Sequence, residues 1–377
     1  MQRFYFDHNA TTPVSAEVLE AWLPALRDVY GNASSIHHFG QVAKQKLEAA
    51  RRQVGLLLNA APRDVVFTSG GTEANNLAIF GVAGAGGHVI TTSIEHPAVL
   101  NPCGSLPSVT TVSVGSDGVV DPADIRRALR PDTVLISVMH ANNELGTLQP
   151  IAEISAIARE AGVLFHVDGV QAVGKVPVDV EKLGVDLYSM SGHKLYAPKG
   201  IGVLFVRKGT RLRPLLFGGR HERDRRPGTE NVPGAVALGC AAEIARDSLA
   251  AEAQRVAALR DRLEQAVLGN IPDAHVNGRT AARTPNTSNV RFDGIEGEAI
   301  VISLDLKGFA VSSGSACSSG AVEPSHVLIA IGLSAQDARS SVRFSLGRSN
   351  TAEQVDALVN SLAESVAHLR RLSPVYA

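Results

Sequence analysis

Between Asp64 and Phe205, short apolar and β-branched runs alternate with stretches of helical character, and this alternation constrains the fold more than any other feature. The runs DVVFT, HVITT and TVLISVM each precede a helical stretch, which begins at Thr72, after His96 and after Pro150, respectively. Such alternation is typical of parallel βαβ units. The runs VLFHVD, DLYSMS and GVLFVR follow, and their continuous apolar character predicts strands covered by helices on both faces. We therefore expect an α/β core domain.

A segment with few helix breakers, residues 236–268, predicts a long helix that connects this domain to a second one. The shorter strands SNVRFDG, GFAVSSG and SVRFSLG follow it, and residues 351–372 predict a final helix. A chain of 377 residues has room for about two domains. We assign residues 15–255 to a large domain, and residues 1–14 and 256–377 to a smaller α/β domain.

Charge and composition exclude several classes of protein. Lys and Arg number 36 against 37 Asp and Glu, so no net positive field attracts nucleic acid or anionic lipid. The most basic run, RHERDRR at residues 220–226, is interpreted as a solvated loop. No apolar stretch approaches the roughly 20 residues that cross a bilayer, and the start MQRFYFDHNATT lacks a signal-peptide core. We expect a cytoplasmic protein with neither nucleic acid nor membrane as a partner.

Polar side chains follow two of the predicted strands. Ser191 ends the run DLYSMS, and His193 and Lys194 follow it directly, at the strand end where open α/β sheets bind ligands. A lysine desolvated there has a lowered pKa and can form a Schiff base, although this segment alone favours a solvent-facing loop lysine. Asp168 ends VLFHVD, where a buried carboxylate suits the protonated pyridine nitrogen of pyridoxal phosphate. The alternative, His166 and Asp168 as metal ligands, lacks a third ligand nearby.

Three further segments carry polar groups between a strand and a helix. TSGGTEANN offers backbone amides and Thr72 to an anion, but it matches neither nucleotide-binding glycine motif and equally suits a tight turn. His96 suits either stacking on a cofactor ring with proton transfer, or a helix cap. Asn142 and Asn143 in MHANNELG can supply buried hydrogen bonds or serve only the backbone.

The three cysteines are too few and too scattered for a disulfide framework or a four-thiolate metal site, so we expect no resident metal. Cys317 lies among small residues in AVSSGSACSSGAVEPSHV, for which we expect a mobile loop with a nucleophilic thiol. Cys103 and Cys240 have apolar or small helical neighbours and are expected to be buried. Arg343, in SSVRFSLG, matches a substrate carboxylate or faces solvent, and Arg348 competes for the first role.

Taken together, these segments resemble the cysteine desulfurases of the NifS and IscS type, in the class V aminotransferase group with the type I fold of pyridoxal-phosphate enzymes. The resemblance runs from YFDHNATTP at Tyr5 to RLSP at Arg371. Its most specific motifs are SGHKLYAPKGIG, HVDGVQAVGK, TSGGTEANNLAI, MHANNELG, RRPGTENV and SSGSACSSG, in the family's order. It implies a mostly parallel seven-stranded sheet and conversion of L-cysteine to L-alanine, with the sulfur passing to Cys317 as a persulfide.

The resemblance also implies a role for each matched residue. Lys194 would be the Schiff-base lysine, Asp168 the partner of the pyridine nitrogen, and Gln171 the partner of the cofactor hydroxyl. His96 would stack on the ring and act as an acid–base helper. The cofactor phosphate would be bound by Gly71, Thr72, Ser191, His193 and, from the other subunit of a homodimer, Thr229. Asn143 would help to fix the bound amino acid, and Arg343 would bind its carboxylate.

The expected macromolecular partner is a sulfur acceptor or iron–sulfur scaffold protein, toward which Cys317 is a possible transient iron–sulfur ligand. The loop SSGSACSSG resembles the first of the family's two groups, which favours cysteine over selenocysteine. The chain stops at LSPVYA, short of the extension that helps some relatives to dock a scaffold, so the acceptor stays open. An aminotransferase of the same fold and a non-enzymatic sulfur carrier remain as alternatives.

Overall fold

The computed structural model describes residues 2–313 and 323–372, and its strands lie where apolar and β-branched residues cluster. In chain order the strands are β1 (Phe4–Tyr5), β2 (Val65–Thr68), β3 (His88–Thr92), β4 (Val109–Val112), β5 (Thr133–Met139), β6 (Leu164–Asp168), β7 (Leu187–Ser191), β8 (Gly202–Val206), β9 (Ala274–Asn277), β10 (Thr287–Phe292), β11 (Phe309–Ala310) and β12 (Ser341–Ser345).

The helices alternate with these strands as the sequence predicts. They are α1 (Ala16–Asp28), α2 (His38–Leu58), α3 (Gly71–Ala83), α4 (Pro97–Gly104), α5 (Pro122–Ala128), α6 (Ile151–Ala161), α7 (Val180–Leu183), α8 (Val232–Asn270), α9 (Gly297–Leu306), α10 (His326–Ala330), α11 (Ala335–Arg339) and α12 (Ala352–Leu372). The predictions of long helices at residues 236–268 and 351–372 are confirmed by α8 and α12.

The central sheet has seven strands in the order β2-β8-β7-β6-β5-β3-β4. All neighbours are parallel except β8, which is antiparallel to both β2 and β7. The prediction of a mostly parallel sheet is therefore confirmed. The carboxyl ends of β2, β3, β5, β6 and β7 consequently meet at one edge of the sheet. The sequence analysis missed β4, an edge strand of which only Val112 is buried.

Helix α8 runs along two separate apolar clusters. Its N-terminal half buries residues such as Leu238 in the cluster that contains β5 and β6, whereas Leu263 and Val267 belong to a second cluster. The second cluster covers an antiparallel sheet, β12-β10-β9, and includes Phe6 from the N-terminal segment. The parallel pair β1 and β11 brings that segment to the C-terminal part of the chain. The domain boundaries at residues 14/15 and 255/256 stay a prediction.

The basic run at residues 220–226 is not a solvated loop throughout, so this prediction was wrong in part. Glu222 is only 7% exposed, and its carboxylate accepts two hydrogen bonds, of 2.7 and 2.8 Å, from the buried guanidinium of Arg51. Arg226 pairs with Glu73 at 2.8 Å. Both partners lie far away in the sequence, so the local charge pattern gave no sign of them.

Among the described helices, none has an apolar stretch long enough to cross a membrane.

Candidate active site

A cavity of about 410 Å³ opens at the edge of the sheet where the parallel strands end. This is the position that ligands occupy in open α/β sheets. Ten of the residues singled out in the sequence line it: Gly71, Thr72, His96, Asn143, Asp168, Gln171, Ser191, His193, Lys194 and Arg343. The fold thus brings together residues that lie up to 272 positions apart in the printed sequence.

Lys194 projects from the single 3₁₀ turn, Gly192–Lys194, that follows β7. Its Nζ donates a hydrogen bond to the carbonyl oxygen of Ala10 at 2.6 Å and a second to the carbonyl oxygen of Asn9. Two main-chain oxygens from the N-terminal segment therefore hold the amine in the wall of the cavity. The alternative of a solvent-facing loop lysine does not agree with this geometry.

The surroundings of Lys194 make its amine easier to deprotonate. Burial lowers its pKa from 10.5 to about 8, and the positive charge of Arg343 acts in the same direction. The carboxylates of Asp7 and Asp168 oppose this shift. A lysine in this state has a substantial neutral fraction near neutral pH and can act as a nucleophile or a base.

Asp168 ends β6 with its carboxylate buried at 5% exposure. One carboxylate oxygen accepts a hydrogen bond of 2.7 Å from Nδ2 of Asn75, and the other accepts one of 3.0 Å from the backbone amide of Val170. Both donors are neutral. A buried carboxylate with only neutral donors keeps the capacity to stabilise a cationic N–H of a ligand.

The alternative that pairs His166 with Asp168 around a metal is excluded by the hydrogen bonds of the histidine. Its Nδ1 lies 2.8 Å from the hydroxyl of Ser137, and its Nε2 lies 3.0 Å from that of Ser189. Both ring nitrogens are thus engaged inside the sheet. Burial lowers the pKa of His166 to about 3. This histidine is a neutral member of the core.

One end of the cavity carries neutral hydrogen-bond donors suited to an anion. Helix α3 begins there at Gly71, where a Cβ atom would lie 2.7 Å from a methyl carbon of Val170, so only glycine fits without a shift. The same Cβ would lie 3.5 Å from the Cβ of Ser191, and His193, two residues further along the chain, lines the same cavity. Burial, with repulsion from neighbouring lysines, lowers the pKa of His193 to about 4. A helix N-terminus beside a hydroxyl and a neutral imidazole is a suitable phosphate site.

His96 caps a helix and also lines the cavity, while its stacking on a cofactor ring stays a prediction. Its Nδ1 accepts a hydrogen bond of 3.0 Å from the backbone amide of Ala98, so it caps α4, and its ring also lines the cavity. Because Nδ1 is an acceptor, the neutral ring carries its proton on Nε2. Burial lowers the pKa of His96, with smaller contributions from Lys194 and His326, against the opposing charge of Asp168.

Arg343 faces the cavity and not solvent, with only 5% of the residue exposed. Its guanidinium donates to Asp7 at 2.7 Å and to the carbonyl oxygen of Asn143 at 3.1 Å. Its Nε–H is buried without a partner among the described residues. The competing Arg348 is held elsewhere, with its guanidinium 4.7 Å from the centre of the Tyr196 ring. Arg343 is therefore the better candidate for a carboxylate.

The sequence analysis missed Asn9, which connects several of these side chains. Its carbonyl oxygen accepts hydrogen bonds from Gln171, at 3.0 Å, and from Lys194. Its Nδ2 donates to the carbonyl oxygen of Asn143 at 3.0 Å, and its Oδ1 accepts from Lys175 at 2.9 Å. The segment YFDHNATT contains the only signal available, polar residues that directly follow a short apolar run. Asp7, Asn75 and Lys175 were missed as well.

Two of the predicted site residues are not among the described residues that line the cavity. Thr229 is exposed on a separate loop and is not among the described residues that line the cavity. Cys317 lies outside the described residues. Of the other cysteines, Cys103 is buried as predicted, and burial raises its pKa to about 12. Cys240 is only half-buried, so the prediction for it was correct in part.

Comparison with known proteins gives consistent matches along the chain. Residues 4–358 match the family model described as aminotransferase class-V. The cysteine desulfurase IscS of Dictyoglomus turgidum is 47% identical over 378 residues, which cover 98% of this chain and 96% of that protein. The solved structure of a NifS-like protein superposes with a TM-score of 0.91 at 37% identity and covers 98% of this chain and 100% of its own. A structure of SspA in complex with cysteine has a TM-score of 0.81 at 38% identity, with coverages of 91% and 98%.

Proposed function

This chain belongs to the class-V aminotransferase family and is a cysteine desulfurase of the IscS and NifS type, and from that membership we propose that Lys194 binds its cofactor and that Cys317 accepts its sulfur. Enzymes of this type use pyridoxal phosphate. The observation that carries the proposal is the position of the Lys194 amine, with a pKa lowered to about 8, in the same cavity as the buried carboxylate of Asp168.

The groups around the cavity fit pyridoxal phosphate. The start of α3 with Thr72, Ser191 and His193 would hold the phosphate, and Asp168 would hold the ring nitrogen protonated. Gln171 would bond the ring hydroxyl, and His96 would stack on the ring. When bound, the cofactor supplies an electron sink that stabilises negative charge next to the amino group of the substrate.

The polar side chains divide the remaining work. Arg343 would bind the substrate carboxylate, helped by Asn143, and its buried, unpartnered Nε–H supports this role. The Lys194 amine, when neutral, can take the proton from the carbon next to that carboxylate. His96, with its proton on Nε2, can return a proton to the product. Each of these groups lines the same cavity.

Sulfur transfer would use the thiolate of Cys317 as the nucleophile. The carbon–sulfur bond of L-cysteine breaks, a sulfur–sulfur bond to Cys317 forms, and a proton replaces the lost sulfur on carbon. The electron pair of the broken carbon–sulfur bond stays on carbon, where the proton adds. The products are L-alanine and a persulfide on Cys317. We further propose that an acceptor, such as an iron–sulfur scaffold protein, then takes the outer sulfur. The cytoplasmic location stays a prediction.

We also propose a homodimer in which Thr229 completes the phosphate site of the partner subunit. Thr229 is exposed and does not line the cavity of its own described chain. Large apolar side chains are exposed nearby in the sequence and elsewhere, among them Phe217 at 92% and Ile36 at 94%. Exposed aromatic and aliphatic side chains of this size mark candidate contact surfaces.

The main rival activity is transamination, for which Lys194 and Asp168 would serve equally well. Incubation with L-cysteine as the sole substrate separates the two reactions. Desulfuration forms L-alanine without any added keto acid. The Lys194→Ala variant should form no L-alanine. L-alanine that appears only after a keto acid is added would favour the aminotransferase. A borohydride-reducible cofactor linkage in Lys194→Ala would remove Lys194 from its proposed role.

A further inference from the structure

Lys175 is a lysine that the proposed reaction does not use, yet its amine lies beside the active site. Its Nζ donates hydrogen bonds to Oδ1 of Asn9 at 2.9 Å and to Oε1 of Gln171 at 2.5 Å. Within the described part of the chain, it forms no ion pair with a carboxylate. Burial, together with the positive charges of Lys194 and Arg343, lowers its pKa well below the usual range. Burying an amine in this way costs free energy unless hydrogen bonds replace its lost hydration.

The turn that carries Lys175 packs against the segment that carries Lys194. Gly174 has a φ of 75°, and a Cβ atom there would lie 2.1 Å from a methyl carbon of Leu195. The turn therefore packs directly against the residue that follows Lys194. Lys175 and Lys194 also line a second, smaller cavity of about 50 Å³ with His8. Lys194 thus lines both cavities, whereas Lys175 lines only the smaller one.

The hydrogen bonds of Gln171 determine which way its amide is turned. Its oxygen accepts from Lys175, and its nitrogen donates to the carbonyl oxygen of Asn9 at 3.0 Å. A flipped amide would set oxygen against the carbonyl oxygen of Asn9, and NH₂ against the Lys175 amine. The contact between the two carbonyl oxygens would be repulsive, and the hydrogen bond that Gln171 accepts from Lys175 would be lost. One N–H of Gln171 then remains available to a ligand in the main cavity.

We propose that Lys175 is a positioning residue that keeps this N–H of Gln171 available to the ring oxygen of pyridoxal phosphate. The inference rests on the proposed position of the cofactor and adds to it a residue that does not touch the cofactor itself. An N–H donor stabilises an ionised ring oxygen, whereas a flipped carbonyl oxygen repels it. Lys175 thus acts on the cofactor only through Gln171.

Four proteins test this inference: the wild type, Lys175→Met, Gln171→Ala and the double variant. The apparent Kd for pyridoxal phosphate and the visible absorbance maximum of the bound cofactor are measured for each, with thermal stability recorded in parallel. Lys175→Met should weaken cofactor binding about tenfold, the worth of one buried hydrogen bond, and shift the absorbance maximum. In the Gln171→Ala background the same change should alter Kd by less than about twofold, because its target is gone.

Two controls keep the outcomes distinct. Lys182→Met replaces an exposed lysine, with 85% of its side chain accessible, and should leave both readouts unchanged. Lys175→Arg retains donors and should recover part of the affinity. If Lys175→Met does not fold, Lys175→Ala, which also lacks a donor, replaces it in the same cycle.

An equal loss of affinity in both backgrounds, tracking thermal stability, would overturn the inference, as would unchanged binding and absorbance in Lys175→Met. Failure of the proposed function would give a different result: a borohydride-reducible linkage would persist in Lys194→Ala. The inference alone fails if Lys194→Ala loses that linkage while Lys175→Met behaves as the wild type.

Discussion

The lowered pKa of Lys194 predicts how the enzyme should acquire its cofactor as the pH changes. Bond formation with an aldehyde needs the neutral amine. The pKa of Lys194 falls from 10.5 to about 8, so at neutral pH the neutral fraction should exceed that of an ordinary lysine by roughly 300-fold. Because the pKa is lowered, the neutral fraction rises with pH only up to about 8 and then levels off.

The assay follows the visible absorbance of apoenzyme mixed with excess pyridoxal phosphate between about pH 6 and about pH 10. The rate constant for covalent linkage should rise about tenfold per pH unit at the acid end and reach a plateau above the pKa of the amine. Borohydride reduction and peptide mapping identify Lys194 as the linked residue. A rate that continues to rise tenfold per unit to the alkaline end of the range would refute the reasoning.

Neighbouring charges provide a matched pair of variants with opposite signs. Arg343→Gln removes a positive charge that lowers the pKa of Lys194, so the inflection should move to higher pH. Asp7→Asn removes a negative charge that raises this pKa, so the inflection should move to lower pH. Arg27→Gln, at an exposed surface arginine, is the control and should leave it unchanged. Shifts of the same sign in both site variants would contradict the electrostatic account.

Three further outcomes follow from other contacts. If Thr229 serves the partner subunit, mixing inactive Lys194→Ala protomers with impaired Thr229→Ala protomers should restore turnover, because each mixed dimer has one intact site. If turnover does not recover, Thr229 acts within its own subunit. Arg51→Met leaves the buried carboxylate of Glu222 unpaired and should lower the free energy of unfolding by roughly 3–5 kcal/mol in urea titrations, and a loss below about 1 kcal/mol would contradict this. Asn75→Leu removes the 2.7 Å donor to the carboxylate of Asp168, which we propose faces the cofactor ring, and should weaken cofactor binding about tenfold in equilibrium dialysis. Asn360→Leu, at an exposed asparagine of α12, is the control and should leave cofactor binding unchanged.

The sequence predicted the site residues that follow a parallel strand, because such strands end at one edge of the sheet. Lys194, Asp168 and His96 were identified in this way, and the structure brings them together. The alternation of apolar runs and helices likewise predicted the mostly parallel sheet and both long helices. Cys317 was identified by the lack of a packing period around it and lies outside the described residues.

What the sequence could not predict depends on contacts between distant segments. The segment that carries Asn9 is held by pairings of β1 with β11 and of Asp7 with Ser345, both more than 300 positions away. The burial of Glu222 depends on Arg51, which lies 171 positions earlier. Neither pairing produces a pattern in the neighbouring sequence, because hydrogen-bond partners depend on which segments the folded chain brings together. For the same reason, the sequence around Lys175 predicts an ordinary surface lysine.

The central claim, that sulfur passes from L-cysteine to Cys317 while the cofactor is held by other residues, is tested most directly by one variant. Cys317→Ala, incubated with L-cysteine alone, is assayed for sulfide and for persulfide by mass spectrometry of its peptides, beside its visible spectrum. The account predicts an unchanged resting spectrum of the bound cofactor, no sulfide and no persulfide, whereas the wild type carries one added sulfur atom on Cys317. Sulfide release by Cys317→Ala at the wild-type rate would contradict it.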